Sequence, residues 1–172
     1  MRTLSDIATL DRHWLLAAGR LPPSALRASR ALSRSADGYL YLIVPLLLLA
    51  LNSPGAWLLA QHAALAFALE RSLYWVLKNS VRRRRPAQCL PDFHSRIIAA
   101  DEFSMPSGHT SGAFLFVTLL CLHYGPLPAL LYPWAVGVAL SRVCLGVHFP
   151  SDTVLGALLG SSLGLLTASA LL

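Results

Sequence analysis

Apolar residues run along the chain in long blocks separated by short polar breaks, and blocks of that length predict helices that cross or coat a membrane. The first segment, residues 4–21, places Ile7, Leu10, Trp14, Ala17 and Leu21 three and four apart, with Asp6, Arg12, His13 and Arg20 on the other side. This is the pattern of an amphipathic helix too polar to span, which either lies on the lipid interface or packs against the rest of the domain. Pro22-Pro23 ends that helix, and a basic stretch with Arg27, Arg30 and Arg34 follows. Five spans are then predicted. They cover residues 35–54 (around the apolar run Tyr39 to Leu51), 56–77, 107–124, 129–147 and 152–172, joined by breaks such as Asn52-Ser53-Pro54-Gly55 and Gly125-Pro126-Leu127-Pro128. The result is an all-α fold, an antiparallel membrane bundle of about five helices, with residues 1–34 as an amphipathic and basic N-terminal segment and residues 35–172 as the embedded domain.

Two spans carry internal features. The second contains Gln61, His62, Glu70 and Arg71; ionisable groups within a span face the protein interior. Glu70 and Arg71 are adjacent, so they point about 100° apart and are expected to pair with other helices. In the fifth, Gly156, Gly160, Gly164 and Ala168 recur every four residues, a ridge of small side chains for close helix packing.

Composition supports the membrane reading. The chain is 55% hydrophobic and 13% charged, where a soluble domain carries about 25% charged residues; its mean hydropathy is +0.57. The formal charge of +6 does not point to nucleic acid, because the cations lie outside the apolar blocks with no interleaved aromatics. Lipid headgroups or a phosphorylated substrate fit them better. Cys89, Cys121 and Cys144 form neither a disulfide framework nor a zinc pattern, and no metal or cofactor is implied. Asp6, Asp11, Arg12 and His13 interrupt any signal-peptide core.

The chemistry is expected in the polar loop from Lys78 to Pro106 and in the turn between the last two spans, which alternation of five spans puts on one membrane face. Three clusters meet there. Lys78 through Arg82-Arg83-Arg84-Arg85-Pro86 supplies cations: arginine offers a planar fork to phosphate oxygens and lysine a point charge. An isolated basic run more often anchors a protein to anionic lipid. In Pro106-Ser107-Gly108-His109, Ser107 is a plausible N-cap, Gly108 allows close backbone approach, and the helix start attracts anions beside His109. The third cluster is Ser141-Arg142 with His148 and Asp152. Pro150 prevents one regular helix through both, so Asp152 can turn back onto the imidazole and set its tautomer.

Together, Lys78-x6-Arg85-Pro86, Pro106-Ser107-Gly108-His109 and Ser141-Arg142-x5-His148-x3-Asp152 resemble the signature of the type 2 phosphatidic acid phosphatase superfamily. That superfamily includes lipid phosphate phosphatases, glucose-6-phosphatase, bacterial acid phosphatases and vanadium haloperoxidases. All eleven fixed positions are present in order, between residues 78 and 152. The resemblance implies that His148 is the nucleophile forming a phosphohistidine, that Asp152 orients it, and that His109 protonates the leaving alkoxide. It implies that Lys78, Arg85 and Arg142, with Ser107 and the Gly108 amide, hold the phosphate without a metal. Membrane members commonly have six spans; here an interfacial helix stands in place of the first. Arg82, Arg83 and Arg84 are extra cations, expected at the headgroup interface.

The implied substrate is a lipid phosphate of the phosphatidic acid, phosphatidylglycerol phosphate or polyprenyl phosphate or diphosphate type. A phosphotransferase with the same site, or a non-enzymatic scaffold or transporter component, are the alternatives. Ten cations remain once Lys78, Arg85, Arg142 and Arg71 are set aside: Arg2, Arg12, Arg20, Arg27, Arg30, Arg34, Arg82, Arg83, Arg84 and Arg96. All ten fall on the active-site side. The positive-inside rule turns the site toward the cytoplasm, in what is expected to be a bacterial plasma membrane; the resemblance points the other way, because many bacterial lipid members of the superfamily act on the outer face.

Overall fold

The structure is a computed structural model that describes residues 2–18 and 21–170. Eight α-helices and one 3-10 turn form all the regular structure of the described residues: α1 (Arg2–Ala18), α2 (Pro23–Ser35), α3 (Tyr39–Ala50), α4 (Ala56–Val81), α5 (Pro86–Cys89), α6 (Gly108–Tyr124), the turn Leu127–Leu131, α7 (Tyr132–Cys144) and α8 (Pro150–Ala170). The arginine at 20 and the last two residues of the expected fifth span lie outside the described residues.

α6 is the central helix. Thr110 to Ala113 and Leu115 to Leu120 are all buried, so the helix is covered on every side, as an apolar stretch with no polar face must be. On one side Leu59, Ala63 and Ala66 of α4 meet Leu115, Phe116, Leu119 and Leu120 of α6 and Leu163 of α8. On the other, Ala113 and Val117 pack against Ala135 and Val138 of α7. The glycine ridge of α8 forms the closest contact. A Cβ at Gly160 would lie 2.1 Å from the Ser111 carbonyl oxygen, and one at Gly156 would lie 2.6 Å from that of Ser107. The two backbones touch directly, which fixes the start of α6 relative to the start of α8.

Leu42, Ile43, Leu46 and Leu47 of α3, Trp57 and Trp75 of α4, Leu140 of α7 and Leu158, Leu165 and Leu166 of α8 point outward and are exposed. An apolar exterior around an interior that holds Glu70, Lys78 and Arg142 suits a bilayer as solvent. By length and hydropathy alone, residues 127–144 and 150–169 can cross a membrane, and α2 with α3 can form a third span bent by 52°. Five were expected. α4, at 26 residues, is long enough, but its polar groups lower its hydropathy, and those groups face inward: His62 is 1% and Glu70 0% exposed.

The N-terminal region differs from the sequence reading in one element. The basic stretch is a helix, α2, which begins with Pro23 in its first turn, where a missing amide donor costs nothing. It packs on α7 through small residues: Ser29 and Ser33 are buried, and Trp134 donates its indole N–H to Ser35 Oγ at 2.8 Å. In α1 the apolar residues Ile7, Leu10 and Trp14 stay exposed, while Asp11 and Leu15 turn inward. Thus α1 presents an apolar side outward and is pinned to the bundle by a buried carboxylate.

Candidate active site

The loop after α4 folds back across the ends of α7 and α8. Arg85 donates to the Val147 carbonyl at 2.6 Å, the Arg96 amide to the Leu145 carbonyl at 2.9 Å, and Ser95 to the Gly146 carbonyl at 2.8 Å. These bonds bring the three sequence clusters to one end of the bundle, as the alternation of spans predicts.

His148 sits in the short connection between α7 and α8 and is 2% exposed. Its Nδ1 lies 2.6 Å from the Ser104 carbonyl oxygen. A carbonyl can only accept, so Nδ1 carries the proton and Nε2 keeps a lone pair. Burial pushes the His148 pKa down to about 4; the charges of Arg142 and Arg85 act in the same direction, while Asp152 opposes them. The ring is therefore neutral near pH 7 and its Nε2 lone pair is free of a proton.

Asp152 does not take the position expected of it. Its Oδ2 is 3.7 Å from His148 Nδ1, too far for a hydrogen bond. Instead Oδ2 accepts from the Phe149 amide at 2.8 Å, and Oδ1 accepts from Arg83 at 2.7 Å. Pro150 gives the physical reason, because the turn into α8 places the carboxylate where it caps its own first turn. His148 Nδ1 donates its hydrogen bond to the Ser104 carbonyl, two residues before the Pro106 motif, with Asp152 beside it as an ion-pair partner once the ring is protonated.

Lys78 is the last buried side chain of α4. Its ammonium contacts both Asp101 carboxylate oxygens at 2.8 Å and also donates to the Tyr74 hydroxyl. Arg85 is 7% exposed and forks onto the same residue, with Nη2 on Asp101 Oδ1 and Nε on the Asp101 carbonyl at 3.0 Å. Burial alone would raise the Asp101 pKa, but the Lys78 and Tyr74 hydrogen bonds and the Lys78 and Arg85 charges hold it down at about 2. Arg142 is 5% exposed and donates Nη1 to Ser33 Oγ at 2.6 Å. Its Nε is buried and has no hydrogen-bond partner; such a donor is costly unless an acceptor arrives.

Ser107 stands at the N-cap of α6 without making a side-chain cap. Its amide donates to the Asp152 carbonyl at 3.0 Å, and its hydroxyl accepts from Thr110 at 3.0 Å. The hydroxyl thus bonds to the Thr110 side chain of the first turn of α6 and not to a backbone amide. Beside Gly108, the Tyr74 ring and the Arg71 guanidinium fill the space a Cβ would need. His109 Nε2 meets Asp37 Oδ1 at 2.8 Å, across the turn between α2 and α3.

Two further expectations are corrected. Arg83 is not a headgroup cation. It bridges Asp152 to Asp11 of α1, 2.7 Å to each, and donates to Ser151 at 2.6 Å. Glu70 and Arg71 pair with each other through two bonds of 2.5 and 2.6 Å, because the long arginine side chain folds back along its own helix. Asp37, Ser33, Asp101, Ser104 and Arg83 were not singled out as site residues from sequence. Only Asp101 carried a usable signal, as an acid in a cation-rich loop just ahead of the Pro106 motif.

A cavity of about 610 Å³ lies between α3 and α4. Leu42, Pro45, Leu46 and Leu49 form one wall, Ala60, Ala64 and Phe67 the other, and Asp37, His109, Asp101 and Arg71 its polar end. Lys78, Arg85 and His148 do not line it; Asp101, which does, contacts Lys78 and Arg85.

The model of the PAP2 superfamily matches residues 58–171, which include every motif residue named above. The chain belongs to the PAP2 superfamily. The decaprenylphosphoryl-5-phosphoribose phosphatase of Mycobacterium tuberculosis is 31% identical over 151 residues, 86% of this chain and 81% of that protein. The crystal structure of the transmembrane PAP2-type phosphatidylglycerolphosphate phosphatase from Bacillus subtilis superimposes with a TM-score of 0.75 at 25% identity, covering 96% of this chain and 86% of that one. The crystal structure of Aquifex aeolicus LpxE gives a TM-score of 0.78 at 26% identity, covering 92% and 93%. The chain is thus an all-helical PAP2 phosphatase with membrane-protein neighbours.

Proposed function

We propose that this PAP2 phosphatase hydrolyses a lipid phosphate through a phosphohistidine on His148. The observation that carries the mechanism is the His148 tautomer. Nδ1 donates to the Ser104 carbonyl, so the Nε2 lone pair is available, and the buried cations Arg85 and Arg142 act on the same ring. The substrate phosphate displaces Asp101 from Lys78 and Arg85, and Arg142 Nε gains the acceptor it lacks. His148 Nε2 then forms a bond to phosphorus while the bond to the leaving oxygen breaks, and His109 gives that oxygen a proton. The Ser104 carbonyl and the nearby Asp152 charge support the imidazolium. In the second half, water attacks phosphorus and gives its proton to His109. The N–P bond breaks and inorganic phosphate leaves. Ser107 and Gly108 shape the floor at the start of α6.

The apolar cavity between α3 and α4, with its polar end at His109, supports a substrate with a hydrocarbon tail. The polyprenyl-linked substrate in the name of the mycobacterial relative is of that kind. The arginines of α2 and of the loop after α4 favour a site on the cytoplasmic face of a bacterial plasma membrane.

The test is phosphate release from lipid phosphates in detergent, with His148→Ala as the key variant. Release should vanish while thermal unfolding stays cooperative, and wild type quenched in alkaline detergent should retain labelled phosphate that is stable to base and lost in acid. A His148→Ala protein with full activity sinks the mechanism. Transfer of the label to an added alcohol in place of water would instead identify a phosphotransferase.

A further inference from the structure

Arg71 is not used by the mechanism above, yet it lies in the site. It sits two turns before Lys78 on α4, on the same face and about 10 Å deeper along the helix. Both lie against the Tyr74 ring, with the Arg71 guanidinium carbon 4.3 Å from its centroid and the Lys78 ammonium 4.4 Å. The separation of the two cations therefore cannot exceed the sum of those distances. Arg71 lines the cavity with Gly108 and His109, and its side chain is 52% exposed. Its position is thus between the phosphate cradle and the apolar wall of Ala60 and Ala64, on the path a leaving group must take toward its tail.

Glu70 is fully buried and takes two of the five guanidinium donors. The pair keeps a cation in an apolar wall at a tolerable cost and fixes the fork in one orientation. The same cavity is lined by Tyr41, whose buried hydroxyl has no hydrogen-bond partner. A wall that served hydrocarbon alone would need neither group.

We propose that Arg71 is the specificity-determining residue for a second phosphoryl group in the leaving group, with the Tyr41 hydroxyl beside it. The preferred substrates are lipids in which a phosphodiester, or the inner phosphoryl of a diphosphate, separates the scissile phosphate from the chain. This rests on the lipid-phosphatase reading and narrows its substrate class. A simple lipid monophosphate leaves the Arg71 donors unused.

The test compares phosphatidylglycerol phosphate with phosphatidic acid of identical acyl chains, in mixed micelles, reading the ratio of their kcat/KM values. Farnesyl diphosphate against farnesyl phosphate repeats the comparison with another tail. Wild type should favour the two-phosphate member of each pair. Because Arg71→Gln alone strands a buried Glu70, the variants are Glu70→Gln/Arg71→Gln, which removes both charges, and Arg71→Lys, which keeps the charge and loses the fork. The double variant should lower the ratio about 10- to 100-fold, the range of a lost charge-assisted hydrogen bond pair, and Arg71→Lys should lower it by less. If the double variant does not fold, the Arg71→Lys ratio decides. An unchanged ratio, or equal loss on both members of a pair, overturns the proposal and leaves the lipid-phosphatase reading intact. A wild-type enzyme that releases phosphate from none of the four lipids overturns both.

Discussion

Replacing Asp101 with asparagine tests whether a carboxylate of the protein holds the phosphate site at rest. The substitution preserves shape and removes the charge that Lys78 and Arg85 grip. The Asp101 pKa is lowered from 3.8 to about 2. At 1.36 kcal/mol per unit, that displacement corresponds to about 2.4 kcal/mol of attraction. The side chain is 37% exposed, so solvent screening reduces the usable part to about 1 kcal/mol. Substrate phosphate must overcome that attraction before it can sit on the same cations. Asp101→Asn should therefore bind inorganic phosphate and vanadate about fivefold more tightly, a factor of that size following from about 1 kcal/mol. The assay is inhibition of lipid phosphate hydrolysis, with Ki measured for both anions. The sign with pH follows from the depressed pKa: the carboxylate stays charged as pH falls from 7 to 4 and lets go only near 2. Wild-type Ki should thus gain nothing from Asp101 across that range, and the gap between variant and wild type should persist. Weaker anion binding by Asp101→Asn refutes the reasoning, because Asp101 would then be arranging the cations and not competing for them.

Other consequences are equally direct. Gly160→Ala places a Cβ against the Ser111 carbonyl, 2.1 Å away before any movement; forcing α8 from α6 should cost about 1–3 kcal/mol, read as a lower Tm in detergent. Asp11→Ala removes the acceptor of Arg83, of the Ser151 amide and of the Ser151 hydroxyl; losing that buried pairing should cost about 3 kcal/mol and release α1 to proteolysis. His148 is neutral when folded down to about pH 4, whereas an unfolded histidine takes its proton near pH 6.5. Wild type should therefore lose stability as pH falls from 6.5 toward 4. His148→Gln should lose less over that interval in thermal unfolding, and parallel losses would contradict a buried neutral ring. A reporter fused to the N-terminus should be active in the cytoplasm; activity only outside reverses the orientation.

The helices were largely legible because a bilayer enforces a simple rule: long apolar blocks, broken by Asn52-Ser53-Pro54-Gly55 and Gly125-Pro126-Leu127-Pro128, become α3, α4, α6, α7 and α8. α2 was missed because its inward face is made of Ser29 and Ser33, which carry no hydrophobic period to read. The motifs were legible as residue types at fixed spacing, and the structure brings Lys78, Arg85, Ser107, Arg142, His148 and Asp152 to one end of the bundle. What stayed hidden is the set of groups that neutralise them. Buried cations need acceptors, and nothing in the motif spacing says which residues supply them. Asp101 does so for Lys78 and Arg85 and Ser33 for Arg142, while Asp37 meets His109 and Asp11 meets Arg83, from positions 16 to 109 residues distant in sequence from the groups they meet. A carboxylate that only answers a distant arginine has no spacing rule of its own. The same logic explains Arg83. Four arginines in a row look alike in sequence, and only the turn into α8, which aims Asp152 away from His148, selects the one that must turn inward to meet it.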